Sequence, residues 1–345
     1  MPALQLGSLW PILRQVNIGS IHAEAKRAID IVVAGPSGNP TENLAEILRS
    51  AEAVTDKRPA SVIRIAGPPL DGQTVAGATL LIAVDMDPQA LASIQDHVPV
   101  LLVNTGILQP SSAVLSLSKG QPAIQPSSQP AIQPTTLPAI DREHIEKMLS
   151  PIIVRQLGES ALAAARRLPI LREAYADWLL DETARANAIY AFSTGIAETV
   201  PVLNIPLNMA DIIVLTKNQL IMVYKLALAA GRPTSPVAVI GELVGVIGAG
   251  FLWRQIAREM VGLIPVVGIV PKVAVAYAGT YAVGQAAQTY LIEGQVPGSE
   301  QLKSLYIRAM DRGRELAQSL VRRNERPEGV DAPGHRRSDN VLDPQ

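Results

Sequence analysis

From about residue 188 to residue 294 the chain is apolar almost throughout, and it is drawn from Ala, Gly, Val, Leu and Ile rather than from aromatics. Aromatic residues make up 3% of the sequence, against 48% hydrophobic and 18% charged. Small side chains let helix backbones approach closely, so the stretch predicts helices made for tight mutual packing or for lipid contact. Helices are expected over 188–199, 210–230, 237–259 and 265–291, with a Pro-bearing segment at 201–206. An amphipathic helix over 299–323 follows, carrying Lys303, Arg308, Arg312, Arg314, Arg322 and Arg323. The polar tail, 324–345, is expected to be disordered.

Composition removes several function classes. The formal net charge is -1, so no global field recruits nucleic acid. The absence of Cys removes disulfides, thiolate metal sites and Cys nucleophiles. The N-terminus lacks a basic stretch followed by an unbroken apolar run, so a cleaved signal is not expected and the first domain is assigned to the cytoplasm.

The N-terminal half has a different pattern. Leu9, Ile12, Leu13 and Val16 recur near helical spacing, which predicts an amphipathic lead-in helix within 1–28, packed on the domain after it. Residues 29–34 read as a buried strand, 35–40 as a turn, and Leu44, Ile47 and Leu48 as the inner stripe of a helix capped by Thr41 or Asn43. Strands follow at 61–66, 78–84 and 98–103, with a short helix at 90–95. Near-continuous apolar strands alternating with helices predict a small α/β domain, 29–107, with a mostly parallel sheet.

Residues 108–140 interrupt that pattern. Gln-Pro-Ala-Ile-Gln-Pro occurs at Gln121 and again at Gln129, and frequent Pro with little charge predicts an extended linker. An all-α domain, 141–323, is expected after it. Asp141, Arg142, Glu143 and His144 cap its first turn, and helices continue over 160–167 and 170–186.

Gly35-Pro36-Ser37-Gly38-Asn39-Pro40-Thr41 lies between the first strand and its helix, the position of a phosphate loop. Gly35, Gly38 and Thr41 are the candidate cofactor-binding residues. The Lys of a working loop is missing, and Pro36 and Pro40 cannot donate N–H bonds. The domain resembles the Ras/Era-like GTPase fold in degraded form. The segment Ala66-Gly67-Pro68-Pro69 stands where such proteins carry an Asp-x-x-Gly switch, and it has no Asp. The strand ending at Asp85 resembles the family's next strand, and Asn104 alone stands for the guanine-reading motif. That resemblance implies a GTPase-like domain without hydrolysis. A helix N-terminus that still attracts an anion remains open as an alternative.

Pro206 to Gly231, with Asp211, Gln219 and Met222, resembles the start of the DUF697 family. So does Pro265-Val266-Val267-Gly268 followed by Thr280 and Gly284. The resemblance implies a helical module of the kind fused to Era-like GTPase domains or found in YcjF-like bacterial inner-membrane proteins. Two apolar segments, 236–253 with Glu242 and 262–283 with Lys272, approach the roughly 20 residues of a membrane span. Gly241, Gly245, Gly248 and Gly250 suit close packing, and Glu242 could pair with Lys272. Arg254 and Arg258 lie between the two segments and oppose a full crossing with both flanks inside. The expectation is a non-catalytic regulatory or scaffold protein at the cytoplasmic side of a membrane, with a protein partner or self-association, no nucleic acid, no metal and no cofactor. The alternatives are a GTP- or ATP-binding switch with an atypical loop and a soluble helical scaffold in the cytoplasm.

Overall fold

The fold is that of a computed structural model, which describes residues 14–50, 62–105, 135–137, 139–198, 209–232, 235–236, 238–239 and 269–325. Five parallel strands form one sheet: β1 (Ile31–Ala34), β2 (Ile63–Ala66), β3 (Leu80–Val84), β4 (Val100–Asn104) and β5 (Thr135–Thr136), in the order β2-β1-β3-β4-β5. Every residue of β1 and β3 is buried, as expected of inner parallel strands covered on both faces. The period of two divides their side chains. Ile31, Val33, Leu80, Ile82, Val84, Leu101 and Val103 face one apolar cluster, while Val32, Ala34, Leu81, Ala83 and Leu102 face another with Val75, Leu91, Ile94 and Val98.

The first of these clusters does not stop at the sheet. It takes in Leu44 and Leu48 of helix α2 (Asn39–Ser50) and continues through Leu137, Ile145, Leu149 and Ile153 into Tyr175, Leu180, Met222 and Leu228 of the helical region. The α/β part and the helices therefore share one hydrophobic core. Helix α1 (Ile18–Ala25), which precedes β1, docks on the helical region. Its N-cap Asn17 accepts a hydrogen bond from Ser20 N at 3.1 Å, and Ile21 and Ala25 are buried. His22 hydrogen-bonds Tyr224 Oη, Glu24 pairs with Lys225 at 2.8 Å, and Arg27 pairs with Glu159 at 3.0 Å. The lead-in helix thus packs on the helical region rather than on the α/β part that follows it. Its predicted residues Leu9, Ile12 and Leu13 lie outside the described residues.

The helical region begins with turns over Arg142–His144 and Ile145–Leu149, then α3 (Ser150–Leu157) and α4 (Ala161–Arg167). Four long helices follow: α5 (Arg172–Glu198), α6 (Met209–Ala229), α7 (Ile269–Leu291) and α8 (Ser299–Glu325). Helix α7 packs against each of the other three. Leu180 meets Gly284, Asn187 meets Thr280 and Gly195 lies opposite Ile269, so α5 and α7 run antiparallel. Gln219 meets Thr280 and Met222 meets Gly284, so α6 and α7 run parallel.

Three expectations change. The predicted helices 170–186 and 188–199 are one helix, α5, preceded by a short 3-10 turn at Pro169–Leu171; nothing between Arg172 and Glu198 breaks the backbone pattern. The predicted helix 90–95 is instead a 3-10 turn, Pro88–Leu91, started by Asp87, whose side chain accepts from Gln89 N at 2.9 Å. The stretch 108–140 does not simply join two domains. Thr135 and Thr136 pair with Val103 and Asn104, so 106–134 connects two neighbouring strands of one sheet. Thr135 lies beside Val103, the last-but-one residue of β4, so β5 pairs only with the carboxyl end of that strand.

Among the described residues no helix is long and apolar enough to cross a membrane. Residues 269–283 of the second candidate segment lie in α7, where Val273, Ala274, Ala278, Thr280 and Ala282 are fully buried by protein. Most of the first segment, with Glu242, and the connecting Arg254 and Arg258 lie outside the described residues, as does most of the predicted helix 237–259.

Candidate functional site at the carboxyl edge of the sheet

The strand order fixes where a site would form. After β1 the chain moves to β2, and it then crosses to β3 on the other side of β1. The crevice beyond the carboxyl ends of β1 and β3 is the topological switch point, where open α/β sheets bind ligands. The loop that follows β1 is the one singled out in the sequence, and the structure brings Gly35, Gly38 and Thr41 into a single turn there.

Gly35 is needed for packing. A Cβ at this position would strike Thr41 Oγ1 and would lie 2.6 Å from the Val84 carbonyl oxygen, so only glycine lets the loop cross the end of β3. Gly38 has φ +148°, a conformation that side-chain-bearing residues rarely adopt. Pro40 sits in the first turn of α2, where a missing N–H costs nothing. Thr41 is 3% exposed, and its hydroxyl donates to the Pro36 carbonyl at 3.3 Å. The hydroxyl that a phosphate loop would present to magnesium is thus turned back into its own loop.

Beside it, Asp85 closes the end of β3 at φ +48°. Its carboxylate accepts Thr105 N at 2.7 Å and also takes the Thr105 hydroxyl. Asp85 therefore ties the end of β3 to the residue after β4. Asn104 is the last residue of β4, in register with Thr136, and its carbonyl accepts Leu137 N at 2.9 Å. Gly67, Pro68 and Pro69 follow β2 and are exposed. Among the described residues no group of His, Cys, Asp or Glu could hold a metal ion. His144 Nδ1 pairs with Asp141 at 2.8 Å and belongs to the helix cap. That cap and the His144 side chain hold the Asp141 carboxyl below its usual range.

A second polar centre lies inside the helices, and the sequence reading did not identify it as one. Asn187 and Thr280 are fully buried, and Gln219 and Thr216 nearly so. Asn187 Nδ2 donates to Thr280 Oγ1 at 2.8 Å, Gln219 Nε2 donates to the same oxygen at 3.1 Å, and Asn218 Nδ2 donates to Asn187 Oδ1 at 2.7 Å. The Thr280 hydroxyl donates to the Ala276 carbonyl at 2.8 Å. Gln219, Met222, Thr280 and Gly284 were noted in the sequence only as separate marks of a family resemblance. In the fold Gln219 touches Thr280, and Gly284 lies against Leu180 and Met222. Asp211 is a residue whose side-chain placement lies outside the described set.

Comparison of the chain with protein-family models, with curated proteins and with solved structures found no match.

Proposed function

We propose that this chain is a non-catalytic regulatory or scaffold protein, in which a degenerate GTPase-like α/β unit is joined to a DUF697-like helical module at the cytoplasmic side of a membrane. One observation carries the non-catalytic part. At the switch point the Thr41 hydroxyl, which a phosphate loop would offer to magnesium, is bonded to the Pro36 carbonyl, and the neighbouring Asp85 is bonded to Thr105. A phosphate-handling Lys is missing from the loop, and Pro36 and Pro40 remove two donors. The shared core supports a scaffold whose two parts are packed together. The membrane part of the reading rests on the apolar segment 236–253 and on the part of 262–283 that precedes α7.

The second reading is a GTP- or ATP-binding switch. It is favoured by the position of the Gly35–Thr41 turn at the switch point, ahead of a 12-residue helix. Calorimetric titration of the full chain with magnesium GTP and magnesium ATP separates the two. The scaffold reading expects no heat of binding at micromolar nucleotide, and micromolar affinity would replace it with the switch. Fractionation of native membranes tests the location. Recovery of the whole protein without the membrane pellet would remove the membrane from the proposal.

A further inference from the structure

Helices α5, α7 and α8 leave between them a cleft of about 370 Å³, lined by Asp181, Arg185, Tyr277, Arg312, Glu315 and Leu316. Gly313 brings α8 onto α7 there. A Cβ at Gly313 would lie 2.9 Å from the Ala274 backbone and 3.1 Å from Tyr277 Cβ, so α8 sits directly on α7 at this point. Asp181 is held by two donors, Tyr277 Oη at 3.0 Å and Arg185 Nε at 2.7 Å. Burial, with Asp181 close by, pushes the Tyr277 phenol up to about 12, which keeps it a donor.

The remaining charges are not spent. Arg185 uses only Nε, so its two terminal nitrogens make no hydrogen bond among the described residues. The Arg312 guanidinium lies 5.7 Å from the centre of the Tyr281 ring, with one long contact of 3.5 Å to the Tyr281 hydroxyl. It is held on that ring although Glu315 is three residues away on the same helix. Glu315 makes no ion pair or hydrogen bond among the described residues. The cleft therefore presents free guanidinium donors and a free carboxylate that do not neutralise each other, around an apolar floor of Tyr277 and Leu316.

We propose that this cleft binds a small zwitterion, one with a primary ammonium close to a carboxylate or phosphate. The anionic end takes the free nitrogens of Arg185 and Arg312, which suit planar or tetrahedral oxyanions. The ammonium takes Glu315, and the carbon skeleton lies on Tyr277 and Leu316. Charge balance selects this class over a simple anion. Two guanidiniums face two carboxylates, Asp181 and Glu315, so a bare phosphate meets no net positive charge and leaves Glu315 unpaired. A cleft of this size is at the small end of ligand sites. Either a free amino-acid-like metabolite or an ethanolamine phospholipid headgroup supplies that chemistry. The inference stands apart from the proposed function and does not depend on nucleotide binding.

The test uses the full chain, titrated by calorimetry and by side-chain NMR with leucine, phosphoethanolamine, ethanolamine and inorganic phosphate. At least one of the two zwitterions should bind roughly tenfold or more tightly than phosphate or ethanolamine, a difference of about 1.4 kcal/mol. Glu315→Gln should remove that preference, and Arg312→Ala should remove binding. Both residues are exposed, and Glu315 has no ion pair or hydrogen bond among the described residues to lose, so Glu315→Gln should melt at the wild-type temperature. Arg312→Ala, which gives up only its contacts with Tyr281 among the described residues, should stay folded. Co-sedimentation with phosphatidylcholine vesicles, alone or mixed with phosphatidylethanolamine, distinguishes the sources. Glu315-dependent capture only by the mixed vesicles assigns a lipid headgroup, and binding of a free zwitterion without capture assigns a metabolite. Zwitterions that bind no tighter than phosphate and no Glu315-dependent capture, or a Glu315→Gln protein that binds like wild type, would overturn the proposal.

Discussion

Asn187 and Thr280, on antiparallel helices and 93 residues apart in sequence, share a buried hydrogen bond of 2.8 Å. Thr280 Oγ1 also accepts from Gln219, so one hydroxyl fixes three helices in register. Thr280→Val keeps the shape and removes the acceptor, leaving two buried amides short of a partner. The expected loss is about 1–3 kcal/mol by urea unfolding. In the double variant Asn187→Leu/Thr280→Val the two losses should fall short of their sum, because the second change removes a group already orphaned by the first. Additive losses would show that Asn187 and Thr280 do not act as a unit.

Glycines on the long helices predict a graded response. A Cβ at Gly313 meets the Ala274 backbone at 2.9 Å, which can yield only if α7 and α8 part. A Cβ at Gly284 meets Leu180 and Met222, whose side chains can turn. Both Ala variants should destabilise by about 1–3 kcal/mol, with Gly313→Ala the worse. Thermal unfolding of the two proteins, side by side, checks the order.

Much of this architecture was legible in the chain. The runs at Ile31–Ala34 and Leu80–Val84 are apolar at every position, and a strand buried on both faces is what such a run makes. The short strand Thr135–Thr136 carries no such signal, because two Thr form a strand only when β4 offers its edge. Without it the Pro-rich stretch could be read only as a connector between domains. The Pro88 turn reads like a helix because Leu91 and Ile94 keep helical spacing, yet both are buried by a 3-10 turn and the turns after it. At the carboxyl edge, Gly35, Gly38 and Thr41 could be picked out because the loop is local. The pairing of Asp85 with Thr105, 20 residues on, could not, since it depends on β3 and β4 lying side by side. The Asp181–Tyr277 contact, across 96 residues, depends in the same way on helix packing.

The Asp85 clip makes a local prediction. Asp85→Ala removes the acceptor of the Thr105 N–H, and the residue keeps an unfavourable positive φ. The Thr105 amide should lose its protection against hydrogen exchange while amides within β1 exchange as before. An unchanged Thr105 rate would mean that the clip does not hold the ends of β3 and β4 together.

Partial desolvation raises the Asp177 carboxyl above its ordinary 3.8 although the residue keeps an exposed face, against the pull of the hydrogen bond from Gln288 Nε2 at 3.0 Å. A raised carboxyl favours the protonated fold. Its contribution is present below 3.8 and is lost as pH rises through the folded value, so the ionised group costs stability at neutral pH. Asp177→Asn keeps an acceptor for Gln288 without the charge. It should shift the urea midpoint upward at neutral pH, with the gap closing as the pH falls below 3.8. A lower midpoint at neutral pH would show that the Gln288 bond outweighs desolvation.

Tyr277 gives the same linkage at the alkaline end. Its phenol is raised from 10.0 to about 12, first by burial and then by the Asp181 charge, and the neutral form donates to Asp181 at 3.0 Å. The folded value lies above the unfolded one, so the stability it supplies is complete below 10 and declines as pH rises towards 12. Unfolding midpoints followed across that range should fall in the wild type. Tyr277→Phe, which has no phenol to ionise, should start lower near neutral pH and decline less over the same range. Absorbance titration of tyrosinate should show one group fewer titrating near 12 in the variant. Parallel declines for the two proteins would place the alkaline loss on other groups.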